Sequence, residues 1–453
     1  MSLDPPMLEN LQSLGYLAMT PIQAAALPLA LLGHDLIAQA KTGSGKTAAF
    51  ALALLTRLNP RRFAIQALVL CPTRELADQV TQEIRRLARA EENIKILTLC
   101  GGSTMRPQIA SLEHGAHIVV GTPGRIMDHL ERGTLDLSAL STLVLDEADR
   151  MLDMGFHDAM VTVVRECPKD RQTLLFSATY PDTIAQLSRQ FLRNPKEVKV
   201  QVTHEATKIR QRWFEVTENE RLDAVSRLLR HYRPASTIAF CNTKQQCRDL
   251  VDVLTAQGFS ALALHGDLEQ RDRDQVLIQF ANRSCSVLVA TDVAARGLDI
   301  PQLEAVINVD VTPDAEVHIH RIGRTGRAGE EGWALNLASM NEMGRVGNIE
   351  VLQGRASEWE KLDALTPTDE PLLPPMVTIQ ILGGRKEKIR AGDVLGALTG
   401  EAGLQGAQIG KINVTDFHTY VAVERSVARH AVERLSAGKV KGKKVKIRFL
   451  EDA

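Results

Sequence analysis

The segment from Ala40 to Thr47 reads Ala-Lys-Thr-Gly-Ser-Gly-Lys-Thr, a composition typical of loops that bind phosphate groups. Its two glycines allow successive backbone N–H groups to point into one concavity, where the start of a following helix adds partial positive charge. Lys46 can reach the β- and γ-phosphates of a nucleotide, and the Thr47 hydroxyl can hold Mg²⁺. Alone, the segment predicts only that a nucleotide binds, and a glycine-rich turn is the alternative. The predicted nucleotide contacts are Thr42, Gly43, Ser44, Gly45, Lys46 and Thr47.

A second group of reactive residues, Asp146-Glu147-Ala148-Asp149, follows the apolar run Leu143-Val144-Leu145. Phosphoryl transfer needs a carboxylate for the Mg²⁺ shell and another group that orients the attacking water. Asp146 suits the first role and Glu147 the second, whereas we expect Asp149 to make a structural or interdomain bond. Adjacent acidic residues usually form a solvated turn, but the phosphate loop upstream favours a catalytic role here.

The elements that would position these groups are short apolar runs that alternate with helix-like patterns in two blocks, residues 1–205 and 210–360. This alternation predicts an α/β fold with two parallel sheets, and ligands then bind beyond the carboxyl ends of the strands. The polar segment Thr203–Arg212 is predicted to link the blocks. In the first block the predicted strands are Leu36–Ala40, Ala67–Cys71, Ile94–Leu99, His117–Gly121, Leu143–Asp146 and Thr173–Phe176. In the second block they are Thr237–Cys241, Ala261–Leu264, Ser286–Ala290, Ala305–Val309 and Trp333–Leu337.

The phosphate loop, the Asp-Glu-Ala-Asp motif and Ser177-Ala178-Thr179 together resemble the motifs of the DEAD-box family of ATP-dependent RNA helicases. The resemblance implies two tandem RecA-like domains, with ATP and Mg²⁺ as cofactors and RNA as the partner. Three further segments match in family order: Pro72-Thr73-Arg74-Glu75-Leu76, Gly101-Gly102 and Thr122-Pro123-Gly124-Arg125. Their arginines, hydroxyls and glycine N–H groups can bind the sugar–phosphate backbone without reading bases. The residues so implied are Pro72, Thr73, Arg74, Gly102, Thr122, Gly124 and Arg125.

Upstream, Tyr16 and Thr20-Pro21-Ile22-Gln23 resemble the family's adenine-recognising motif. The Gln23 amide offers a donor and an acceptor, so it can pair with the adenine edge and reject guanine. Tyr16 could stack on the base. The family pattern has a further aromatic residue before this motif, and only Leu3 is near that place.

The second block carries no second phosphate loop, but His320-Arg321-Ile322-Gly323-Arg324-Thr325-Gly326-Arg327 matches the family's sixth motif. The match implies that Arg324 and Arg327 are arginine fingers, which stabilise charge on the γ-phosphate in the transition state. By the same resemblance Asp299 lies near the ribose of ATP. The residues implied in coupling the domains are Asp149, Ser177, Thr179 and His320. The further residues implied in RNA binding are Asn242, Thr243, Gln270, Arg273, Thr291 and Arg296.

A tail with a different charge balance follows the second block. Residues 361–375 hold four prolines with acidic residues between them, which is typical of a linker. Residues 376–453 carry 14 Lys and Arg against 8 Asp and Glu, whereas the first 375 residues carry 40 against 47. Their pattern predicts a β-α-β-β-α-β domain like an RNA-recognition motif, in which Tyr420 is the only aromatic residue of the second hairpin strand. The predicted RNA contacts are Arg385, Lys386, Lys388, Lys441 and Lys444.

The tail resembles the appended domain of a bacterial DEAD-box subfamily, most clearly from Arg390 to Gly400. That resemblance implies binding to a structured hairpin of 23S ribosomal RNA in the large-subunit precursor. We therefore expect an RNA-dependent ATPase that separates short RNA duplexes in ribosome assembly. The first alternative is an ATP-gated RNA clamp or assembly scaffold without significant unwinding, and the second is a DNA helicase that shares the paired α/β domains.

The composition indicates the cellular compartment in which the protein is expected to work. The six cysteines lack Cys-x-x-Cys spacing, so a zinc site is not expected and a reducing compartment is favoured. The first residues, Met1-Ser2-Leu3-Asp4-Pro5-Pro6, have no secretory signal pattern, and no apolar stretch is long enough to cross a bilayer. We therefore expect a cytoplasmic protein without a membrane partner, and a monomer.

Overall fold

The structure is a computed structural model that describes residues 3–40, 44–90, 93–180, 182–200, 209–295, 303–326 and 331–450. These residues form two sheets of seven parallel strands and one sheet of four antiparallel strands. The first sheet lies in one compact unit, and the other two lie in a second. The predicted fold class, two tandem α/β domains followed by a small α+β domain, is confirmed.

The first sheet contains β1 (Leu36–Gln39), β2 (Ala67–Leu70), β3 (Ile96–Leu99), β4 (Ile118–Gly121), β5 (Thr142–Leu145), β6 (Gln172–Ser177) and β7 (Lys196–Lys199). Their order across the sheet is β3-β4-β2-β5-β6-β1-β7. Its helices are α1 (Pro5–Ser13), α2 (Pro21–Leu31), α3 (Lys46–Arg57), α4 (Arg74–Leu87), α5 (Met105–Glu113), α6 (Pro123–Glu131), α7 (Ala148–Asp153), α8 (His157–Glu166) and α9 (Asp182–Phe191).

Both faces of this sheet are covered, which explains why its central strands are apolar throughout. Val69 and Val144 pack with residues of α2, α3 and α4, whereas Leu68 and Leu143 pack with residues of α6, α8 and α9. Successive strand residues point to opposite faces, so strands buried on both sides read as continuous apolar runs. The edge strand β7 has only Val198 buried, and its polar composition is the reason that sequence patterns missed it.

The second sheet contains β8 (Ile209–Glu215), β9 (Thr237–Cys241), β10 (Ala261–Leu264), β11 (Val287–Thr291), β12 (Ala305–Asn308), β13 (Gly332–Ala338) and β14 (Trp359–Glu360). Its order, β10-β11-β9-β12-β13-β8-β14, repeats that of the first sheet position by position. The accompanying helices are α10 (Arg221–Tyr232), α11 (Lys244–Ala256), α12 (Gln270–Ala281), α13 (Asp292–Ala295), α14 (Ala315–Ile322) and α15 (Met343–Gln353).

Strand β8 corrects one boundary expected from the sequence. The segment 203–212 was predicted to be a linker, but β8 begins at Ile209 and pairs with β13 along its whole length. The strand was missed because charged residues alternate along it. The Arg212 guanidinium forms ion pairs with the carboxylates of Glu358 and Glu360, at N–O distances of 2.5 and 2.6 Å. The next residue, Trp213, is buried.

The tail domain contains β15 (Met376–Ile381), β16 (Ile409–Val414), β17 (Thr419–Glu424) and β18 (Ile447–Phe449), with α16 (Ala391–Gly396) and α17 (Ala428–Ala437). The sheet order is β16-β17-β15-β18. Its core is formed by Ile379, Ile381 and Val421 against residues of the two helices. The predicted β-α-β-β-α-β order is confirmed, although the last strand begins at Ile447 rather than Lys444, after the run of lysines.

Residues 361–375, predicted to be a linker, lie along α10 and contain one 3₁₀ turn, Leu362–Ala364. Two arginines of α10 and Arg233, which follows the helix, bind three acidic residues of this segment, in the pairs Arg227–Asp363, Arg230–Asp369 and Arg233–Glu370, at 3.2, 3.5 and 3.6 Å. Leu365 adds a buried apolar contact with the core of the second sheet. The acidic residues that suggested a linker therefore hold the segment against α10.

The tail also contacts the second α/β domain directly, through the face of its sheet. The Thr378 hydroxyl lies 2.7 Å from the Ser284 hydroxyl and accepts a hydrogen bond from Asn282 Nδ2 at 3.1 Å. Asn282 Oδ1 in turn accepts from Asn413 Nδ2 at 3.2 Å. Tyr420 on the same face is buried, at 4% exposure, so the surface on which RNA-recognition motifs stack bases is covered here. No helix in the described parts of the chain is long and apolar enough to cross a membrane.

Candidate functional site

Apart from Tyr16, Thr20 and Gln23, which precede β1, the predicted site residues of the first α/β domain lie at or after the carboxyl ends of its strands and divide along the sheet edge. Those implied in RNA binding follow β2, β3 and β4, which occupy one half of the sheet order. Those implied in nucleotide chemistry follow β1, β5 and β6, which occupy the other half. One edge of a parallel sheet therefore presents two adjacent sets of contact residues, as the topology of such sheets requires.

The centre of the nucleotide half is a buried pair, Lys46 at the start of α3 and Asp146 after β5. Lys46 Nζ lies 3.9 Å from Asp146 Oδ1, and the two residues are 6% and 2% exposed. Within the described residues, these two atoms and Ser44 Oγ are buried and form no hydrogen bond. Buried polar atoms without partners are costly, so this cluster fits a ligand that supplies phosphate oxygens and a divalent cation. Burial raises the pKa of the Asp146 carboxyl, and the Lys46 ammonium opposes that shift.

The adenine motif lies against the phosphate loop. Gln23 Oε1 accepts the Thr20 N–H at 2.9 Å, and Gln23 Nε2 donates to the Gly45 carbonyl at 3.1 Å. Gly45 has a φ of +90°, and a Cβ there would lie 2.6 Å from Gln23 Nε2, so only glycine allows this approach. Each Gln23 amide atom can make one more hydrogen bond, which suits the edge of an adenine.

Tyr16 lies in the same region, but its hydroxyl is already used. It forms a hydrogen bond with Glu83 of α4. Burial, followed by this bond, raises the pKa of the Tyr16 hydroxyl to about 12, so the phenol stays neutral. The predicted stacking of Tyr16 on the base remains a prediction.

Glu147 precedes α7 in an unusual backbone conformation. Its φ of +53° is in the left-handed region, which costs a non-glycine residue about 1–3 kcal/mol and is concentrated at functional sites. The Glu147 carboxylate is 4% exposed and forms an ion pair with Arg150, one turn along α7. The backbone and the ion pair together fix a carboxylate beside Asp146, and the expected role of Glu147 in orienting an attacking water stays a prediction.

Asp149 ties the acidic motif to the end of β6. Its Oδ2 accepts hydrogen bonds from the Ala178 N–H at 3.1 Å, the Thr179 N–H at 2.8 Å and the Thr179 hydroxyl at 2.9 Å. The Asp149 N–H donates to Ser177 Oγ at 3.3 Å. This carboxylate is therefore saturated by structural bonds, in agreement with the role expected for it.

In the RNA half of the first sheet, Arg125 joins two of the predicted segments. Its guanidinium donates to the Ser103 carbonyl at 3.1 Å and to Gln108 Oε1 at 3.0 Å, so it holds the glycine loop that contains Gly102. Thr73 and Thr122 precede α4 and α6, and Thr73 Oγ1 accepts the Leu76 N–H at 3.3 Å. Pro72, Arg74 and Gly124 lie in the same turns.

The second sheet repeats this arrangement, since its predicted RNA contacts follow β9, β10 and β11. Thr243 caps α11 by accepting the Gln246 N–H at 3.2 Å, and Gln270 opens α12. Arg273 Nη2 donates to the Ala294 carbonyl at 2.8 Å, and Thr291, the last residue of β11, is 9% exposed. The predicted contacts are thus brought to one edge, as in the first sheet.

Arg321 was part of the recognised sixth motif but was given no role, and it is the most connected residue of this edge. Its Nε and Nη2 bind both oxygens of Asp292, at 2.7 and 2.6 Å. It also donates to Asn242 Oδ1 at 3.1 Å and to the Asp310 carbonyl at 2.8 Å. Arg321 is 2% exposed, so it fixes Asn242 rather than meeting a ligand. Its partners are distant in sequence, and no local pattern could have revealed them.

His320 and Arg324 lie at the end of α14 and just after it. His320 is exposed and Arg324 is half-buried. Five predicted contacts lie outside the described residues, namely Thr42, Gly43, Arg296, Asp299 and Arg327.

In the tail, the two predicted basic segments meet. Lys441 Nζ donates to the Lys388 carbonyl and lies 3.4 Å from Asp393, and Lys443 Nζ donates to the Glu387 carbonyl at 3.4 Å. Arg385, Lys386 and Lys444 are exposed beside them. Segments more than fifty residues apart therefore form one basic surface.

Comparisons with known proteins agree with this division. A DEAD/DEAH box helicase family matches residues 20–187, a helicase conserved C-terminal domain matches 220–329, and the DbpA RNA binding domain matches 378–449. The chain is 53% identical over 449 residues to ATP-dependent RNA helicase DbpA of Escherichia coli strain K12, and the match covers 99% of this chain and 98% of that relative. The chain belongs to the DEAD-box RNA helicases of DbpA type.

Other DEAD-box helicases match the two α/β domains. DEAD-box ATP-dependent RNA helicase CshA of Bacillus cereus is 43% identical over 373 residues, which is 82% of this chain and 70% of the relative. The solved structure of S. cerevisiae Dbp5 bound to RNA and ADP BeF3 is 32% identical with a TM-score of 0.72, and the match covers 80% of this chain and 95% of that one. The resemblance inferred from the motifs is confirmed, and so is the activity of an ATP-dependent RNA helicase that binds RNA.

A Mg²⁺ ion would have to be held at this DEAD-box site with few protein ligands. Among the described residues no cluster of three or more His, Cys, Asp or Glu side chains could enclose a metal. Mg²⁺ keeps several waters and is commonly bound through one or two protein oxygens together with substrate phosphates. Asp146 and the Thr47 hydroxyl fit that mode, so they would hold the ion, which would neutralise charge on the phosphates.

Proposed function

We propose that this helicase separates short duplexes in structured 23S ribosomal RNA during assembly of the large ribosomal subunit, with the tail as the module that selects the RNA. The observation that carries the proposal is the single basic surface formed by the segments around Lys388 and Lys441. An A-form hairpin presents phosphates and 2′-hydroxyls, which a basic surface binds by shape. Three domains are proposed: 1–205, 210–360 and, after the linker 361–375, 376–453.

In the proposed reaction, Lys46 binds the β- and γ-phosphates, Asp146 and Thr47 hold Mg²⁺ and Glu147 orients the attacking water. Arg324 and Arg327 stabilise the charge that develops on the γ-phosphate. ATP and RNA together draw the two α/β domains into a closed state that bends one RNA strand. Hydrolysis and loss of phosphate then reopen it. The protein acts as a monomer in the cytoplasm.

The test compares RNA-stimulated ATP hydrolysis by the unmodified chain and by Lys388→Glu, with 23S ribosomal RNA fragments and an unrelated duplex as activators. Removal of the whole tail is a poorer test, because the tail covers Asn282 and Ser284. Arg434→Glu is the matched control, since Arg434 is exposed on α17 and the charge change is the same. We expect Lys388→Glu to lose the preference for one fragment, whereas Arg434→Glu keeps it. If Lys388→Glu kept the same preference for one fragment as Arg434→Glu, the selective role of the tail would be contradicted.

The alternative, an ATP-gated RNA clamp, is distinguished by a second measurement. The buried Lys46–Asp146 pair and the oriented Glu147 provide the residues that turnover needs, which favours an active helicase. A labelled duplex of about ten base pairs should be separated in the presence of ATP. Hydrolysis that RNA stimulates without any strand separation would favour the clamp.

A further inference from the structure

An exposed aromatic ring lies at the end of the tail's basic surface. Phe417 is in the turn between β16 and β17, and 56% of its surface is exposed. The Lys386 ammonium lies over this ring, 4.1 Å from its centroid, within the range of a cation–π contact. A ring beside several cationic groups fits a ligand that has both an aromatic face and negative charge.

The turn that carries Phe417 is held rigidly by the basic segment opposite. The Arg385 N–H donates to the Thr415 carbonyl at 2.9 Å, and the Lys386 N–H donates to the Asp416 carbonyl at 3.0 Å. Gly384 makes this approach possible, because a Cβ there would overlap the Thr415 carbonyl oxygen. The Thr415 hydroxyl closes the turn by donating to the His418 carbonyl at 2.8 Å. A ring on so constrained a turn loses little conformational entropy when a ligand binds.

Positive charge surrounds the turn from two domains. Arg385 and Lys386 lie on the tail side. Burial, followed by the charges of Arg271 and Arg448, lowers the pKa of His418, the residue after Phe417. Arg271 belongs to α12 of the second α/β domain and is next to Gln270, one of the proposed RNA contacts. Asp416, the acidic residue next to Phe417, lies 3.9 Å from the Arg385 guanidinium, so its carboxylate is paired with a cation of the same surface.

We propose that Phe417 is a platform on which one unpaired base of the bound RNA stacks, while Lys386 and Arg385 bind the flanking phosphates. Every nucleobase has an aromatic face, so the platform accepts an unpaired base of any type, in a loop or at a duplex end. The inference rests on the proposed binding of ribosomal RNA by the tail. It assigns the stacking role to a turn at the edge of the sheet, in place of the sheet face that contacts the second domain.

The experiment measures equilibrium binding of the full chain to the 23S ribosomal RNA fragment that best stimulates hydrolysis, by fluorescence anisotropy at several salt concentrations. Stacking of a base on an aromatic side chain is worth enough that Phe417→Ala should weaken binding by roughly fivefold to a hundredfold. The slope of log affinity against log salt should stay unchanged, because no charge is removed. Lys386→Ala should instead make that slope shallower by about 0.7, the value for one phosphate contact on a single strand.

Two variants separate stacking from a loss of structure. Phe417→Tyr keeps an aromatic face and should bind as the unmodified chain does. Phe63→Ala removes an equally exposed ring, 62% exposed, from the first α/β domain and should leave RNA affinity unchanged. Thermal unfolding of each variant, together with its hydrolysis rate without RNA, shows whether the fold is intact.

A photoreactive benzoylphenylalanine at position 417 gives a direct reading, since a stacked base should form a cross-link within an unpaired region of the fragment. Equal affinity of Phe417→Ala and the unmodified chain, or cross-links only within paired regions, would overturn the platform and leave the proposed function in place. Failure of the unmodified chain to prefer any ribosomal fragment would overturn the proposed function and this inference with it. Cross-linking to a protein in place of the RNA fragment, when both are supplied, would also overturn it.

Discussion

Asp149 and Thr179 are joined by two hydrogen bonds to one carboxylate oxygen, from the Thr179 N–H at 2.8 Å and from its hydroxyl at 2.9 Å. The bonds connect the acidic motif that carries Glu147 with the loop after β6. A shift of that loop should therefore displace Asp149, which is two residues from Glu147, the proposed catalytic carboxylate.

Replacing Thr179 by valine, which has the same shape but no hydroxyl, tests this connection. We expect hydrolysis to persist, because no proposed catalytic group is changed, and strand separation to fall several-fold more than hydrolysis. Loss of one such hydrogen bond should cost about 0.5–1.5 kcal/mol. The measurement is the ratio of duplexes separated to ATP hydrolysed. Parallel losses in both rates would show that the bond supports the fold alone.

Glu147→Gln and Lys46→Ala should separate chemistry from binding. The glutamine keeps the shape of Glu147 but cannot accept a proton, so turnover should fall by about 10²–10⁴-fold while ATP still binds. Lys46→Ala removes the cation beside Asp146 and should weaken ATP binding itself. Binding of a fluorescent ATP analogue and single-turnover hydrolysis distinguish the two effects. RNA-stimulated hydrolysis that is undiminished in either variant would refute the proposed mechanism.

Arg324→Ala tests the arginine finger. Arginine fingers raise kcat by about 10³–10⁵-fold, so turnover should fall by about a thousandfold or more. The change in ATP affinity should be much smaller. The steady-state parameters kcat and KM for ATP, at saturating RNA, provide the measurement. A higher KM with an unchanged kcat would mean that Arg324 binds ATP equally in the ground state and the transition state.

Thr378→Lys tests the contact between the tail and the second α/β domain. Thr378 is 1% exposed, and a lysine there would place a charge against Asn282 and Ser284, so the tail should separate from the domain. Backbone hydrogen exchange at Met376, whose N–H donates to the Arg283 carbonyl at 3.3 Å, should accelerate. Thr399→Lys, at an exposed position of the tail, is the control. Unchanged exchange in Thr378→Lys would mean that this contact does not hold the tail.

His318 should make the free energy of unfolding of the second α/β domain depend on pH. Burial, followed by the charges of Arg321 and Arg355, lowers the pKa of His318 from 6.5 to about 3. The unfolded chain therefore takes up a proton first as pH falls, so stability present above about pH 6.5 is lost progressively down to pH 3. Between pH 7 and pH 5 this residue should remove about 2 kcal/mol from the free energy of unfolding.

Tryptophan fluorescence during urea unfolding can follow this domain selectively. All three tryptophans, at 213, 333 and 359, lie in the second sheet, and Trp213 stacks on His318 at 5.5 Å between ring centroids. His318→Gln, which cannot be protonated, should flatten the dependence on pH. A slope that is the same in the variant would assign the effect to other groups.

Sequence patterns predicted the elements that carry the motifs well, because those strands are apolar on both faces. The run Ala67–Cys71 differs by one residue from β2, and the turns after the strands hold the motif residues as expected. The edge strands β7 and β14 and the neighbouring strand β8 were missed, since they carry charged residues, some of which are satisfied by pairs such as Arg212–Glu360 that join positions far apart.

The same reason explains what remained hidden in the site. Local spacing identified Lys46, Asp146 and Glu147, because each motif folds as one turn. It could not give Arg321 its partners, nor show that Thr378 would bind residues of a neighbouring domain. Contacts of that kind depend on which strands become neighbours in the sheet. They cannot be predicted from a short stretch of sequence.

The repeated strand order of the two large sheets is the arrangement expected from duplication of one ancestral unit. In the second copy, β8 occupies the place of β1, and the segment after it is Val216-Thr217-Glu218-Asn219-Glu220 in place of a phosphate loop. Its carboxylates are bound internally, Glu218 to Arg221 at 3.0 Å and Glu220 to Thr217 Oγ1 at 2.7 Å. Carboxylates repel phosphates, so we expect one nucleotide to bind per chain. Each cycle would then consume a single ATP, and the second copy would contribute arginine side chains to the reaction in place of a second nucleotide site.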